Sequence, residues 1–161
     1  LGALLDTLDH THALLITPGR AERAVSQRAG LGVWPPSWRR LAQRSQAEFD
    51  RLLWACDLNF VRGEDSLVRA IWAGQALIWQ IYPQEDQAHH DKLLAFLDWA
   101  GGPADWRQAH LTWNGLSSSP WPSLTRARLT AWRELTQDAR RRLLAQSDLC
   151  TQLQNFADAH S

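Results

Sequence analysis

The sequence predicts an α/β protein, in which a parallel sheet carries helices on both faces and a helical tail follows. Up to about residue 103, short apolar runs alternate with segments of helical periodicity. The runs are apolar at consecutive positions, which is typical of strands buried on both faces of a parallel sheet. From residue 104 onward the pattern becomes mainly helical.

The elements of the first part follow from the spacing of apolar residues and from Gly and Pro breaks. The run "ALLITPG" ends at a Pro-Gly turn, and Gly101-Gly102-Pro103 stops the last helix of this part. In chain order we predict a strand within 13–19, a short strand around Leu41, a helix over 46–56, a strand over 57–61, a helix over 66–73, a strand over 76–81 and a helix over 89–100.

The tail, about residues 104–161, contains a long amphipathic helix in "ARLTAWRELTQDARRRLLAQ" and closes with "DLCTQLQNFADA". One stripe of the long helix holds Leu129, Trp132, Leu135, Ala139 and Leu143. The Ser/Pro-rich segment "SSSPWPSL" is interpreted as a loop, so that residues 1–161 form one domain.

Composition narrows the class of protein. The 161 residues carry 17 basic and 17 acidic side chains, which argues against a nucleic-acid or anionic-membrane partner. No run of apolar residues is long enough to span a bilayer, and the start does not resemble a signal peptide, so we expect a cytoplasmic protein. Because position 1 is not Met, we expect a processed chain or a fragment.

The two cysteines and most tryptophans have apolar neighbours at regular spacing. We therefore expect Cys56 and Cys150 to be buried, reduced thiols. Trp54, Trp72 and Trp132 are expected to pack within the core or between helices.

In an open parallel sheet, ligands bind beyond the carboxyl ends of the strands. The most informative of these turns is "RGEDS", between the predicted strand 57–61 and the predicted helix 66–73. Gly63 allows close approach of backbone N–H groups, the helix start favours an anion, and Arg62 can bind a phosphate. The other two turns at such ends are Thr17-Pro18-Gly19 and Tyr82-Pro83-Gln84.

Two carboxylates, Glu64 and Asp65, stand in the same turn, where they would repel a phosphate. A ligand with a diphosphate and a neutral, hydroxyl-rich part satisfies both features, and a nucleotide sugar is such a ligand. The alternative remains open that Asp65 or Ser66 caps the helix and that Glu64 complements its dipole.

Metal chemistry is not expected. The pairs His10/His12 and His89/His90 lack a Cys or carboxylate that would complete a ligand set, and no DxD motif occurs. The run at residues 140–142 is interpreted as a solvated helix face, and secondly as a docking patch for an acidic protein.

The block "FDRLLWACDLNFVRGEDSLVRAIWAG" and the following "WQIYPQEDQAHHDKL" resemble the nucleotide-sugar half of bacterial protein-arginine rhamnosyltransferases that modify elongation factor P. Weaker similarity extends through "LLITPGRA", "LTWNGL" and "LLAQSDLCTQL". The resemblance implies one Rossmann-like half of a GT-B fold. It also implies inverting, metal-independent transfer of rhamnose from dTDP-β-L-rhamnose to an arginine of elongation factor P.

The resemblance also implies roles for individual residues. Glu64 would serve catalysis through the sugar or its orientation, and Tyr82 would reach a phosphate oxygen. The remaining donor-binding residues are Arg62, Gly63, Asp65 and Ser66 at the diphosphate and Gln46 and Phe49 at the thymine.

Two aspartates of the family's glycine-rich N-terminal segment have no counterpart here, so we expect the C-terminal domain without the N-terminal acceptor domain. Two alternatives stay open. The chain could serve another nucleotide sugar on the same fold, or be a non-catalytic domain that binds a nucleotide or a protein.

Overall fold

A computed structural model describes residues 1–29, 34–83 and 88–160. Helices and strands alternate in its first part, and helices alone form the rest. The helices are α1 Gly2–Leu5, α2 Arg20–Ala29, α3 Gln46–Ala55, α4 Glu64–Ala73, α5 Ala88–Ala100, α6 Ala104–Trp113, α7 Arg126–Leu144 and α8 Leu149–Ala159. The strands are β1 Leu14–Ile16, β2 Trp38–Arg40, β3 Leu58–Arg62 and β4 Ala76–Gln80.

The described strands pair in parallel, as predicted. β1 pairs with β2, with Leu14 opposite Trp38, and β3 pairs with β4, with Arg62 opposite Gln80. The two pairs are hydrogen-bonded as separate two-stranded sheets within the described part of the chain. The parallel α/β class is confirmed. β1 and β4 are shorter than predicted, β3 has the predicted length but starts one residue later, and β2 ends one residue before Leu41.

Helices cover the β3–β4 pair so completely that β4 is buried on both faces. Ala76, Leu77, Ile78 and Trp79 are each at most 2% exposed, and successive residues of a strand point to opposite faces. α6 and α7 contact β4, while α4 packs against β3 and α3. This burial explains why residues 76–79 are all apolar.

The outer edge of β4 is occupied by side chains of α6 at a spacing of four residues. The Trp106 indole N–H donates to the Leu77 carbonyl oxygen over 3.1 Å, and the Trp79 N–H donates to His110 Nε2 over 3.0 Å. Asn114, directly after α6, accepts from the Ile81 N–H over 3.0 Å and donates to the Trp79 carbonyl oxygen over 2.8 Å. These contacts take the place of a neighbouring strand and end the sheet at β4.

His110 lies at the centre of this arrangement and is neutral. Complete burial, opposed by its hydrogen bond to the Trp106 carbonyl, lowers its pKa from 6.5 to about 3. Because Nε2 accepts from the Trp79 N–H, the proton is on Nδ1, which lies 3.0 Å from the Trp106 carbonyl oxygen.

The ends of the helices beside β3 follow from local sequence. Ser45 and Glu48 form a capping box at the start of α3, in which the Ser45 N–H donates to Glu48 Oε2 over 2.9 Å. α4 begins after Gly63 and ends at Gly74, which adopts the left-handed conformation. α4 therefore starts two residues earlier than predicted, at Glu64.

Three expectations about buried side chains were wrong. Trp54 and Trp72 are 57% and 40% exposed, and Cys150 is also exposed, whereas Trp132 is fully buried as predicted. Trp72 lies on α4 away from the helix face that Leu67, Ala70 and Ile71 bury, so its apolar neighbours in sequence are not its neighbours in space.

The stripe predicted on α7 is confirmed, since Trp132 and Ala139 are buried and Leu129, Leu135 and Leu143 pack against the core. The loop before α7 joins that core through Trp121, whose ring lies 5.8 Å from that of Phe60 on β3. Among the described helices, none combines the length and the apolar content needed to cross a bilayer.

Candidate functional site

The RGEDS corner joins the end of β3 to the start of α4. Gly63 stands at this corner with φ +77° and ψ 174°, a conformation that is essentially restricted to glycine. Its N–H donates to the Gln80 carbonyl oxygen over 3.1 Å, and its carbonyl oxygen accepts from the Trp79 indole N–H over 3.0 Å. Residues of β4 thus hold both the N–H and the carbonyl oxygen of Gly63.

Tyr82, just beyond β4, lies directly on this corner. A Cβ at Gly63 would be 2.4 Å from Tyr82 Cε2, so only glycine allows the ring to lie here. The Arg62 guanidinium stacks over the same ring at 4.4 Å from its centroid. Stacking through the face of the guanidinium leaves its N–H groups able to bind an anion at their edge. The turn of Tyr82 continues to Gln84, which lies outside the described residues.

Glu64, the first residue of α4, forms an ion pair with Lys92 on α5. Lys92 Nζ lies 2.6 Å from Glu64 Oε1. The hydrogen bond from Lys92, followed by that from the N–H of Glu64 itself, lowers the pKa of the Glu64 carboxyl. Glu64 is therefore ionised at neutral pH, and its charge is offset by a cation at contact distance.

Asp65 has a cation partner as well. Arg69 donates through Nε to Asp65 Oδ2 over 2.9 Å and through Nη1 to Asp50 Oδ2 over 3.1 Å, which joins α4 to α3. The cap of α4 is Gly63, without a side-chain hydrogen bond, so the alternative that Asp65 or Ser66 caps this helix is wrong. Ser66 is half-buried in the first turn.

Gln46 and Phe49, expected at a thymine pocket, lie on the first turns of α3. Gln46 is exposed, and Phe49 is half-buried and packs against the core. The ion pair of Asp50 with Arg69 places this part of α3 beside α4. The structure therefore brings Arg62, Gly63 and Tyr82 into direct contact. It joins α3 to α4 through the Asp50–Arg69 ion pair and to β3 through a hydrogen bond from the Asn59 side chain to the Leu53 carbonyl oxygen.

Sequence reasoning missed Lys92, the one lysine in the chain. The sequence shows that lysine is rare, but the contact of Lys92 with Glu64 spans 28 residues and depends on how α5 packs beside α4. Among the described residues, no group of three or more His, Cys, Asp or Glu side chains is placed to hold a metal ion.

A glycine corner between two parallel strands, beside a helix start and a stacked arginine, has the form of the sites at which other α/β proteins bind phosphates. Comparison with known proteins gives the family. The sequence model of the family described as "Elongation-Factor P (EF-P) rhamnosyltransferase EarP" matches residues 1–158, and the chain belongs to this family.

Relatives in curated collections agree. The chain is 41% identical over 177 residues to a protein-arginine rhamnosyltransferase of Pseudomonas putida, covering 97% of this chain and 46% of that protein. It is 50% identical over 101 residues to the enzyme of the same name from Pseudomonas aeruginosa, covering 58% of this chain and 27% of the relative. The chain thus spans about half the length, or less, of the relatives it matches.

A solved structure also resembles the chain, with a TM-score of 0.68 and 31% identity over 99% of this chain and 56% of the other. It is described as the "Structural basis for EarP-mediated arginine glycosylation of translation elongation factor EF-P". This likeness confirms the predicted parallel α/β class and is consistent with one half of a GT-B fold.

Proposed function

We propose that this chain is the donor-binding half of a protein-arginine rhamnosyltransferase. It would bind dTDP-β-L-rhamnose, and the complete enzyme would transfer rhamnose, with inversion, to an arginine of elongation factor P. The observation that carries the proposal is the family match over residues 1–158, together with a corner whose geometry suits a diphosphate.

The diphosphate would bind at the start of α4. The first N–H groups of a helix lack acceptors within the helix, and the positive end of the helix dipole favours an anion there. Gly63 itself is buried beneath the Tyr82 ring, so the ligand would reach the N–H groups of the residues that follow it, while Arg62 offers charge-assisted hydrogen bonds. The backbone N–H groups of Asp65 and Ser66 and the Tyr82 hydroxyl would complete the contacts.

The partners of the two carboxylates support this assignment. A bare Glu64 and Asp65 would repel a diphosphate, but Lys92 lies 2.6 Å from the first and Arg69 lies 2.9 Å from the second. Both carboxylates can therefore accept hydrogen bonds from sugar hydroxyls without making the corner strongly negative. Gln46 and Phe49 on α3 would contact the thymine.

Glu64 would act on the reacting sugar as an ionised group. Its lowered pKa makes it a weak base and unsuited to donate a proton at neutral pH. A fixed negative charge can instead orient the sugar, or stabilise positive charge that develops at the anomeric carbon or the acceptor guanidinium. Such a role appears in the transition state more than in donor binding.

Calorimetric titration of the 161-residue chain tests donor class directly. We expect dTDP-rhamnose and dTDP to bind more tightly than UDP, and NAD to bind weakly. A preference for UDP would favour another nucleotide sugar on the same fold. Absence of binding to every nucleotide would contradict the donor-binding assignment.

The same chain is expected to bind the donor without transferring rhamnose. The acceptor arginine needs positioning and a base from the other side of a two-domain cleft. Incubation with dTDP-rhamnose and elongation factor P, followed by intact-mass spectrometry, measures this. Rhamnosylation by the chain alone would show that the described half carries the whole active site.

A further inference from the structure

The ion pair of Lys92 with Glu64 joins α5 to the start of α4. We propose that Lys92 is a positioning residue of the donor site. Its ammonium group fixes one oxygen of the Glu64 carboxylate and offsets the charge of that carboxylate, so that a diphosphate can bind beside it. This inference rests on the proposed function of the RGEDS corner.

The position of Lys92 follows from the topology. Parallel strands β3 and β4 end at the same edge of their sheet, and α4 and α5 follow them. Glu64 is the first residue of α4, and Lys92 lies in the second turn of α5. The ion pair therefore joins the two helices at the edge of the sheet where the RGEDS corner lies.

The geometry leaves part of the carboxylate available. The described contact of Lys92 is to Oε1 of Glu64, at 2.6 Å. Both side chains are 52% exposed, so a ligand can reach them. A carboxylate can accept about four hydrogen bonds, so Glu64, held by Lys92 and by its own N–H, can still accept one from a hydroxyl group, and its orientation is set before the ligand arrives.

The positive charge of Lys92 is expected to raise the affinity for a diphosphate. Without the ammonium group, the Glu64 carboxylate would be an unbalanced negative charge next to the diphosphate, at an exposed site where Coulomb interactions still act over several ångströms. The hydrogen bond from Lys92 is also the largest cause of the lowered pKa of Glu64. Loss of Lys92 should therefore weaken diphosphate binding through Glu64.

The alternative is that the Lys92–Glu64 pair only stabilises the packing of α4 with α5. Exposed ion pairs of this kind contribute little to stability. The chain offers a matched control in Arg107 and Asp98, an exposed pair at 2.5 Å that joins α6 to α5. A purely structural pair should behave as this control does.

The experiment is a double-mutant cycle, with dTDP titrated into the 161-residue chain at low ionic strength. We expect Lys92→Met to weaken dTDP binding roughly tenfold, and Arg107→Met to change it less than twofold. In the double variant Glu64→Gln/Lys92→Met, affinity should return to within about threefold of the unsubstituted chain, because both charges are gone. Unchanged affinity in Lys92→Met would overturn the proposal. So would a double variant as weak as Lys92→Met, because Lys92 would then bind the phosphate directly.

A second measurement needs no nucleotide. Carboxyl-carbon NMR of Glu64 should show its pKa rising toward the ordinary value in Lys92→Met but not in Arg107→Met. An unchanged Glu64 pKa would overturn the proposal. If the pKa rises but the unsubstituted chain binds no dTDP, the hold of Lys92 on Glu64 is supported, and the proposed donor-binding function is the part that fails.

Discussion

Replacing Gly63 with alanine tests the corner most severely. At φ +77° and ψ 174° a residue with a Cβ is strained by about 1–3 kcal/mol. The new Cβ would also lie 2.4 Å from Tyr82 Cε2, and this ring must move. Because Tyr82 is 48% exposed and the contact is at the far end of its side chain, the ring can rotate into solvent at little further cost. We therefore expect Gly63→Ala to lower the free energy of unfolding by about 1–3 kcal/mol, or the Tm by roughly 2–12 °C.

The displaced ring should matter more for binding than for stability. Moving Tyr82 removes the surface on which Arg62 stacks, and dTDP affinity should fall roughly tenfold or more, equivalent to at least about 1.4 kcal/mol. Urea unfolding and calorimetric titration measure the two effects separately.

Two further variants separate the loss of stability caused by backbone strain from that caused by the clash with Tyr82. In a Tyr82→Ala background, Gly63→Ala should destabilise by the same amount within about 0.5 kcal/mol, because only backbone strain remains. Gly101→Ala is the matched control, since Gly101 has φ +71° and a Cβ there would meet no heavy atom within 4 Å. It should lower stability by about 1 kcal/mol and leave dTDP affinity unchanged. A Gly63→Ala chain with normal stability and normal affinity would refute the described corner.

Three other outcomes are expected. Arg62→Ala should weaken dTDP binding by about 1.5–3 kcal/mol, or roughly tenfold or more. The control Arg133→Ala, on the exposed face of α7, should leave the affinity unchanged. If Arg62→Ala binds dTDP as tightly as this control, the diphosphate does not bind at this corner. In an enzyme that also contains the other half of the relatives, Glu64→Gln should lower kcat roughly a hundredfold with little change in KM, and a near-normal rate of rhamnosylation would return Glu64 to a helix-dipole role. His110, with its pKa lowered from 6.5 to about 3, takes up a proton only when the chain unfolds, so its contribution to stability is complete above pH 6.5. As the pH falls from 6.5 to about 3, that contribution should decrease by about 1.4 kcal/mol per pH unit, which urea unfolding measures. The same decrease in His110→Gln would show that another group titrates.

The corner could be predicted from sequence because its determinants are local. An apolar run, a glycine and the periodic positions of Leu67, Ala70 and Ile71 lie within fifteen consecutive residues, and each pattern is set by the backbone geometry of its own element. The start of α4 was misplaced by two residues because Asp65 and Ser66 resemble a side-chain cap, whereas Gly63 serves as the cap with its backbone.

Contacts between distant elements could not be predicted in this way. Trp106, His110 and Asn114 have the spacing of an ordinary helix face, and nothing in that spacing shows that they occupy the edge of β4, about thirty residues earlier. The exposure of Trp54 and Trp72 has the same origin. Helical spacing groups residues on one face but does not tell which faces other elements cover.

The NMR response of the backbone amides of the isotope-labelled chain to dTDP tests most directly whether the diphosphate binds at the RGEDS corner. We expect saturable shifts at Gly63, Glu64, Asp65 and Ser66, because the diphosphate would lie against this helix start. We also expect these shifts to be lost in Arg62→Ala. Saturable shifts confined to another part of the chain, such as the turn after β1 at Gly19, would contradict binding at this corner.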